Sequence, residues 1–288
     1  MPAIGGSGSP GTMPTGQVCH CPRWYAGHRG RRKQAGREGP TAGARLGRNP
    51  GVRRPVSGPS VRSGSDERET LDPTLLRGLL VILAYVAGSI PFGVLVARAS
   101  GGVDPRTIGS GRTGGTNALR ALGRKWAAIV VVGDLAKGAL PVLVARILTN
   151  GDALAEVLCA GAAVIGSSHS IFLRLHGGRG VGTGVGTMLI IQPIAILIAA
   201  PVFIVVILVT RYVSLGSLLG SAAMLPAMLL IWAVASGAMP PAYLLWAVVG
   251  PALIWLAHAD NIDRLIHGQE RKFDLGLLGG RGQGGGAA

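Results

Sequence analysis

Residues 183–210 read TGVGTMLIIQPIAILIAAPVFIVVILVT. The stretch is too long for one upright helix through a hydrocarbon layer, which takes ~20 residues, and short for two. It can break at Gln192-Pro193 and at Ala200-Pro201, because proline removes a backbone donor and crowds the preceding turn. How often it crosses decides which loops meet. With two short helices, or a re-entrant equivalent, loops 99–125 and 174–182, the bend at Arg211 and the tail from His258 all fall on one side. With a single crossing, Arg211, His258 and Asn261 are parted from the other loops by the bilayer.

The blocks Leu75–Val96, Trp126–Leu148, Ala153–Leu173, Leu215–Val234 and Ala242–Leu256 are each apolar enough for a span. The first contains Gly88-Ser89-Ile90-Pro91, a break that a membrane helix tolerates where neighbours satisfy the freed backbone. The expected fold is all-α, a polytopic membrane helix bundle of about seven transmembrane helices. Composition agrees, since 48% of the 288 residues are hydrophobic and 14% are charged, against about 25% charged in a soluble domain.

The net charge of +15 is unevenly placed. With two crossings in 183–210, twelve basic side chains share one side, Arg112, Arg120, Arg179 and Arg264 among them. Leaving the N-terminal tail aside, the other side has only Arg146 near a span end. The positive-inside rule makes the crowded side cytoplasmic. Aromatic residues, at 5%, are too scarce to favour base stacking, so nucleic acid is not an expected partner.

The transmembrane domain is expected over residues 73–272. Residues 1–72 are a basic tail rich in Gly, Pro and Arg, expected to be disordered because it lacks apolar residues to bury. It has no early apolar stretch, so a secretory signal peptide is not expected. Residues 273–288 are a Gly-rich C-terminal tail. Cys19-His20-Cys21 with His28 has a C-x-C spacing and no second pair, which argues against a zinc site. No metal site or cofactor is expected, and no disulfide framework is visible.

Three stretches carry chemistry. Gly109-Ser110-Gly111-Arg112-Thr113-Gly114-Gly115-Thr116-Asn117-Ala118-Leu119-Arg120 runs from a glycine-rich turn into an expected helix at Ala118, capped by Thr116 or Asn117. A helix start behind such a turn is an anion site, to which Arg120 adds a bidentate fork. Gly177-Gly178-Arg179-Gly180-Val181-Gly182-Thr183-Gly184 repeats the pattern. Its glycines also suit close helix packing, and both uses are compatible. In His258-Ala259-Asp260-Asn261-Ile262-Asp263-Arg264, the histidine and Asn261 share a helix face. Asp134 and Lys137, inside the second span, have the spacing of a structural ion pair.

Taken together, these motifs resemble the bacterial acyl-phosphate–glycerol-3-phosphate acyltransferase family (PlsY). The resemblance runs from about Leu75 to Lys272. It rests on Gly88 to Gly93, Ser110 to Arg120, Asp134-x-x-Lys137-Gly138, Phe172-Leu173 before the glycine loop, and His258-x-x-Asn261-x-x-Arg264. It implies a seven-helix enzyme of the bacterial inner membrane with its site facing the cytoplasm. The implied reaction moves a fatty acyl group from acyl phosphate to the sn-1 hydroxyl of glycerol 3-phosphate. Its products are lysophosphatidate and phosphate, and it opens phospholipid synthesis. Carried over, Ser110, His258 and Asn261 are the expected catalytic positions. Arg120, Asn117, Gly178, Arg179, Gly180 and Lys137 are the expected substrate-binding ones.

The chain departs from the family's pattern at four places. Arg112 stands where Asn is more usual and Arg179 where Lys is usual. Ser167 follows Gly166 where His is common, and Ala257 precedes His258 where Arg is typical. On this reading Arg120, with Ser110 and Asn117, holds the glycerol 3-phosphate phosphate. Arg179 and its loop hold the acyl phosphate head, whose chain lies between helices. His258 orients the attacking hydroxyl or takes its proton, unless a substrate phosphate oxygen does. The alternative is a small anion transporter or channel for phosphate or glycerol phosphate, suggested by Gly-rich spans and intramembrane charges.

Overall fold

A computed structural model describes residues 72–274 and Gly276. The expected disordered tail, the Cys19-His20-Cys21 cluster and most of the C-terminal tail lie outside the described residues. Among the described residues all regular structure is helical.

Helix α1 spans Pro73–Gly88 and α2 spans Phe92–Ser100. Asp72 caps α1 by accepting from the Thr74 and Leu75 amides at 2.7 and 3.1 Å, with Pro73 preset for the first turn. The chain bends by 41° at Ser89-Ile90-Pro91. Carbonyls freed there are taken by other helices: Ser170 Oγ donates to Ser89 O at 2.5 Å and Lys137 Nζ to Ile90 O at 3.3 Å.

Helix α3 runs over Gly115–Leu148, a longer helix than the expected Trp126–Leu148 span. Its first turns are too polar to register as membrane-spanning, yet they are helical. Gly123, at φ 77°, kinks them away from the apolar part. Helix α4, Ala153–Ser168, is capped by Asp152 and stops short of the expected Leu173, where a 3-10 turn, Ile171–Leu173, takes over.

Residues 183–210 do break at Gln192, into α5, Val181–Ile191, and α6, Pro193–Thr210. Pro201, the other candidate, lies inside α6. Helices α7, Val213–Ala222, and α8, Met224–Val234, form one span of 22 residues. Helix α9, Pro241–Ala257, closes the membrane part. Beyond it α10, Ala259–Ile266, turns away by 66°. Among the described residues four helices are long and apolar enough to cross a membrane, and up to six spans result if each bent pair counts once. The shorter apolar α5 completes a set of seven. By helix rise it is about 16 Å long, roughly half of a hydrocarbon core.

Helices α3 and α5 cross at their backbones. A methyl group on Gly138 would strike the Thr183 backbone, and one on Gly186 the Leu135 carbonyl. The small residues give the close packing expected in a membrane. The largest buried cluster gathers Val142, Val164, Met188, Met228 and Trp246 at mid-depth. Phe273 is also buried, and its amide donates to Arg211 O at 2.6 Å, so packing continues one residue past the expected 272 boundary.

Candidate active site

Two helix starts open into one cavity. The first is that of α3. Ahead of it Asp104 accepts from the Arg106 amide at 2.9 Å and starts a 3-10 turn, Pro105–Thr107. Gly109 and Gly111 take positive φ, as the tight loop requires. Asn117 then pins the loop. Its amide group donates to the carbonyls of Pro105, Ile108 and Arg112 at 2.5, 3.1 and 2.8 Å, and its oxygen accepts from the Ser110 amide at 3.2 Å. The side chain is thus occupied in shaping the Ser110 loop. Capping falls to Gly114, and α3 begins at Gly115 rather than at Ala118. With no side-chain cap, the first α3 amides keep their polarity for the cavity. Arg120 lies one turn further in and also lines it.

The second start is that of α5. The Gly177 and Gly178 amides donate to Ser168 and Ser167 carbonyls at 3.0 and 2.9 Å, folding the loop back along the end of α4. The Gly178 amide is therefore taken. Gly180, at φ 74°, turns the chain into α5, again without a side-chain cap. Val181 and Gly182, whose amides have no partner within a helix at its first turn, line the cavity.

The corner between α9 and α10 supplies the rest. His258 is buried, and its Nδ1 lies 2.8 Å from Ile254 O. A carbonyl only accepts, so Nδ1 carries the proton and the neutral ring offers Nε2 as an acceptor. Burial lowers the imidazole pKa to about 4, and the positive charge of Arg179 pushes the same way. Asn261 Nδ2 donates to Glu270 Oε1 at 2.7 Å, while its Oδ1 is buried without a partner.

Glu270 also accepts from Ser214 Oγ and Arg264 Nε, each at 2.9 Å. Asp260 stands between three arginines, at 3.1 Å from Arg179, 3.2 Å from Arg264 and 3.9 Å from Arg112. Burial raises its pKa, but Arg179, Arg264 and Arg112 outweigh this and hold the carboxyl below its usual range. Deeper in, Lys137 and Asp134 pair at 2.7 Å, as their spacing suggested.

All nine expected site residues line this cavity of about 360 Å³. His258 and Asn261 share it with Arg120 and Arg179, as two crossings in 183–210 require. Asp260 and Arg264 stood within the His258 motif, but their counter-ion network with Glu270 did not show in the sequence. The i,i+4 spacing of Asp260 and Arg264 on α10 was the available signal. Ser214, also in the lining, had none. Among the described residues no three His, Cys, Asp or Glu side chains group as metal ligands. A second cavity of about 280 Å³, walled by α5, α6, α7 and α9, adjoins the first through Val181, Phe203 and Ser217. Its lining is almost wholly apolar.

Known proteins are similar to this chain. The sequence model described as Glycerol-3-phosphate acyltransferase matches residues 78–268. Glycerol-3-phosphate acyltransferase of Rubrobacter xylanophilus is 44% identical over 213 residues, which is 74% of this chain and 100% of that protein. Glycerol-3-phosphate acyltransferase 3 of Dehalococcoides mccartyi (strain CBDB1) is 42% identical over 210 residues, 68% of this chain and 95% of that protein. The crystal structure of PlsY (YgiH), an integral membrane glycerol 3-phosphate acyltransferase in its glycerol 3-phosphate form, superposes with a TM-score of 0.64 at 35% identity. It covers 72% of this chain and 100% of that one. Its lysophosphatidic acid form gives 0.62 at 36% identity, covering 70% and 98%. The family model spans most of the bundle, and this integral membrane protein belongs to the glycerol-3-phosphate acyltransferase family.

Proposed function

We propose that the chain transfers a fatty acyl group from acyl phosphate to the sn-1 hydroxyl of glycerol 3-phosphate, at the cytoplasmic face of a bacterial inner membrane. The observation that carries this is the convergence of two uncapped helix starts, each with its arginine, on one cavity that continues into an apolar slot. Two phosphate-bearing substrates, one with a long tail, match that shape. The family's activity supports the acceptor, and the crowding of basic residues at the cavity end supports the cytoplasmic side.

In this reading Arg120, the Ser110 loop and the α3 amides hold the phosphate of glycerol 3-phosphate. Asn117 serves by keeping that loop in shape. Arg179 and the α5 amides hold the phosphate of the acyl donor, whose chain enters the slot past Val181, Phe203 and Ser217. The acceptor hydroxyl oxygen bonds to the acyl carbon, and the bond from that carbon to the phosphate oxygen breaks. The hydroxyl proton goes to the departing phosphate. A histidine with a pKa of about 4 is a poor sink for that proton, so His258 Nε2 orients the hydroxyl rather than carrying the proton away. The donor is already activated, so alignment and charge stabilisation supply the catalysis.

Purified protein in proteoliposomes, given palmitoyl phosphate and labelled glycerol 3-phosphate, should release phosphate and form lysophosphatidate in equal amounts. Palmitoyl-CoA should not replace the donor. Movement of glycerol 3-phosphate into the vesicles without acyl transfer would establish the transporter reading instead.

A further inference from the structure

The apolar slot has a graded lining. Where it meets the polar cavity stand Val181, Phe203, Ser217 and, just before His258, Ile254. Midway down, each wall carries a small residue: Gly184 on α5, Ala199 and Ala200 on α6, Gly220 on α7 and Gly250 on α9. Deepest come Met188 on α5, Ile196 on α6, Met224 at the start of α8, which continues the α7 span, and Trp246 on α9. These four belong to, or pack against, the central hydrophobic cluster, and Trp246 is only 2% exposed. The indole lies over Gly250, where an added methyl would come within 3.2 Å of the ring. The slot is thus roomy in its middle and closed below by large side chains anchored in the core.

We infer that Trp246 and Met224 form a floor that sets the acyl-chain length the enzyme prefers, a proposal that rests on the acyltransferase reading above. From entrance to floor each helix advances seven or eight residues. By helix rise that is about 10–12 Å, roughly eight or nine extended methylenes. A chain drawn from a bilayer gains little from burial, since lipid tails are as apolar as the slot. Selection is therefore steric. A short chain leaves the small-residue waist underfilled, and a long one meets the indole and must turn sideways between helices.

The experiment compares kcat/KM for saturated acyl phosphates of eight to eighteen carbons, with glycerol 3-phosphate fixed and the full chain in detergent or proteoliposomes. Met224→Ala and Trp246→Phe deepen the slot and should raise the long-to-short rate ratio about tenfold, while Ala200→Leu narrows the waist and should lower it by a similar factor. The ratio is taken within one preparation, so a partly unfolded variant leaves it intact. If Trp246→Phe does not fold, the opposed shifts of Met224→Ala and Ala200→Leu decide. Wild-type chain-length profiles in all folded variants overturn the floor while leaving the acyltransferase reading standing. Absence of transfer from every donor by the wild-type protein overturns both.

Discussion

The two ends of the bundle treat charge differently. Away from the cavity, charges are matched. Arg77 Nε lies 2.6 Å from Asp152. Arg146 grips Glu156 at 2.9 and 2.7 Å, and Tyr243 donates to the same carboxylate at 2.8 Å. Around the cavity five lining arginines, Arg112, Arg120, Arg179, Arg264 and Arg271, stand against Glu270 in the same lining and Asp260 paired beside it, besides the Asp134–Lys137 pair. Matched charges tie helices together. Surplus cations over uncapped helix starts attract anions from water. The contrast separates residues that hold the bundle from residues that serve the reaction.

The largest expected effect is at the surplus end. Arg120→Ala should lower kcat/KM for glycerol 3-phosphate by about 10²- to 10³-fold, as when one preorganised charge-stabilising donor is removed. Unfolding in detergent should stay near that of the wild type. Activity close to wild type would remove Arg120 from the phosphate site and erase the contrast.

The matched end should respond in the opposite way. Arg146→Met leaves Glu156, which is fully buried, without its cation. Breaking such a pair costs about 3–5 kcal/mol, readable as a lower unfolding midpoint. The kcat of the folded fraction should be unchanged. A kcat loss at full stability would show that this end also takes part in the reaction.

The smallest effect concerns His258. Its native pKa of about 4 lies below the 6.5 of an unperturbed histidine, first through burial and then through Arg179. Between these values the unfolded chain binds a proton that the native ring refuses. Its contribution to stability is complete above pH 6.5 and is lost as pH falls toward 4. The difference in unfolding stability between wild type and His258→Gln should shrink over that window. Nitrogen NMR of labelled histidine should show the ring neutral at pH 6. A midpoint near 6.5 would mean that the ring is not held buried and neutral beside Arg179.

Much of this was legible in the sequence because it was local. The Gln192-Pro193 break decided the topology, and the two glycine loops, each followed by a helix, marked both cradles. What escaped depended on distant pairing. Arg146 and Glu156 lie on different helices, and nothing in either neighbourhood names the other. Asn117 offered a polar side chain to any ligand, yet three carbonyls of its own loop claimed it. The helix expected from Ala118 was not joined to the span at Trp126, because hydropathy registers lipid contact, not helical backbone. The paired cap role expected of Thr116 or Asn117 passed to a glycine for the same reason that Asn117 was already engaged.

The contact of α3 and α5 through Gly138 and Gly186 has a wider meaning. Peptide groups, not side chains, set how far apart the two helix starts at the cavity stand. That distance is insulated from substitutions elsewhere in the bundle. Descendants of such a protein can adapt to membranes of different lipid make-up by altering the tail region, without having to reinvent the chemistry of the head groups.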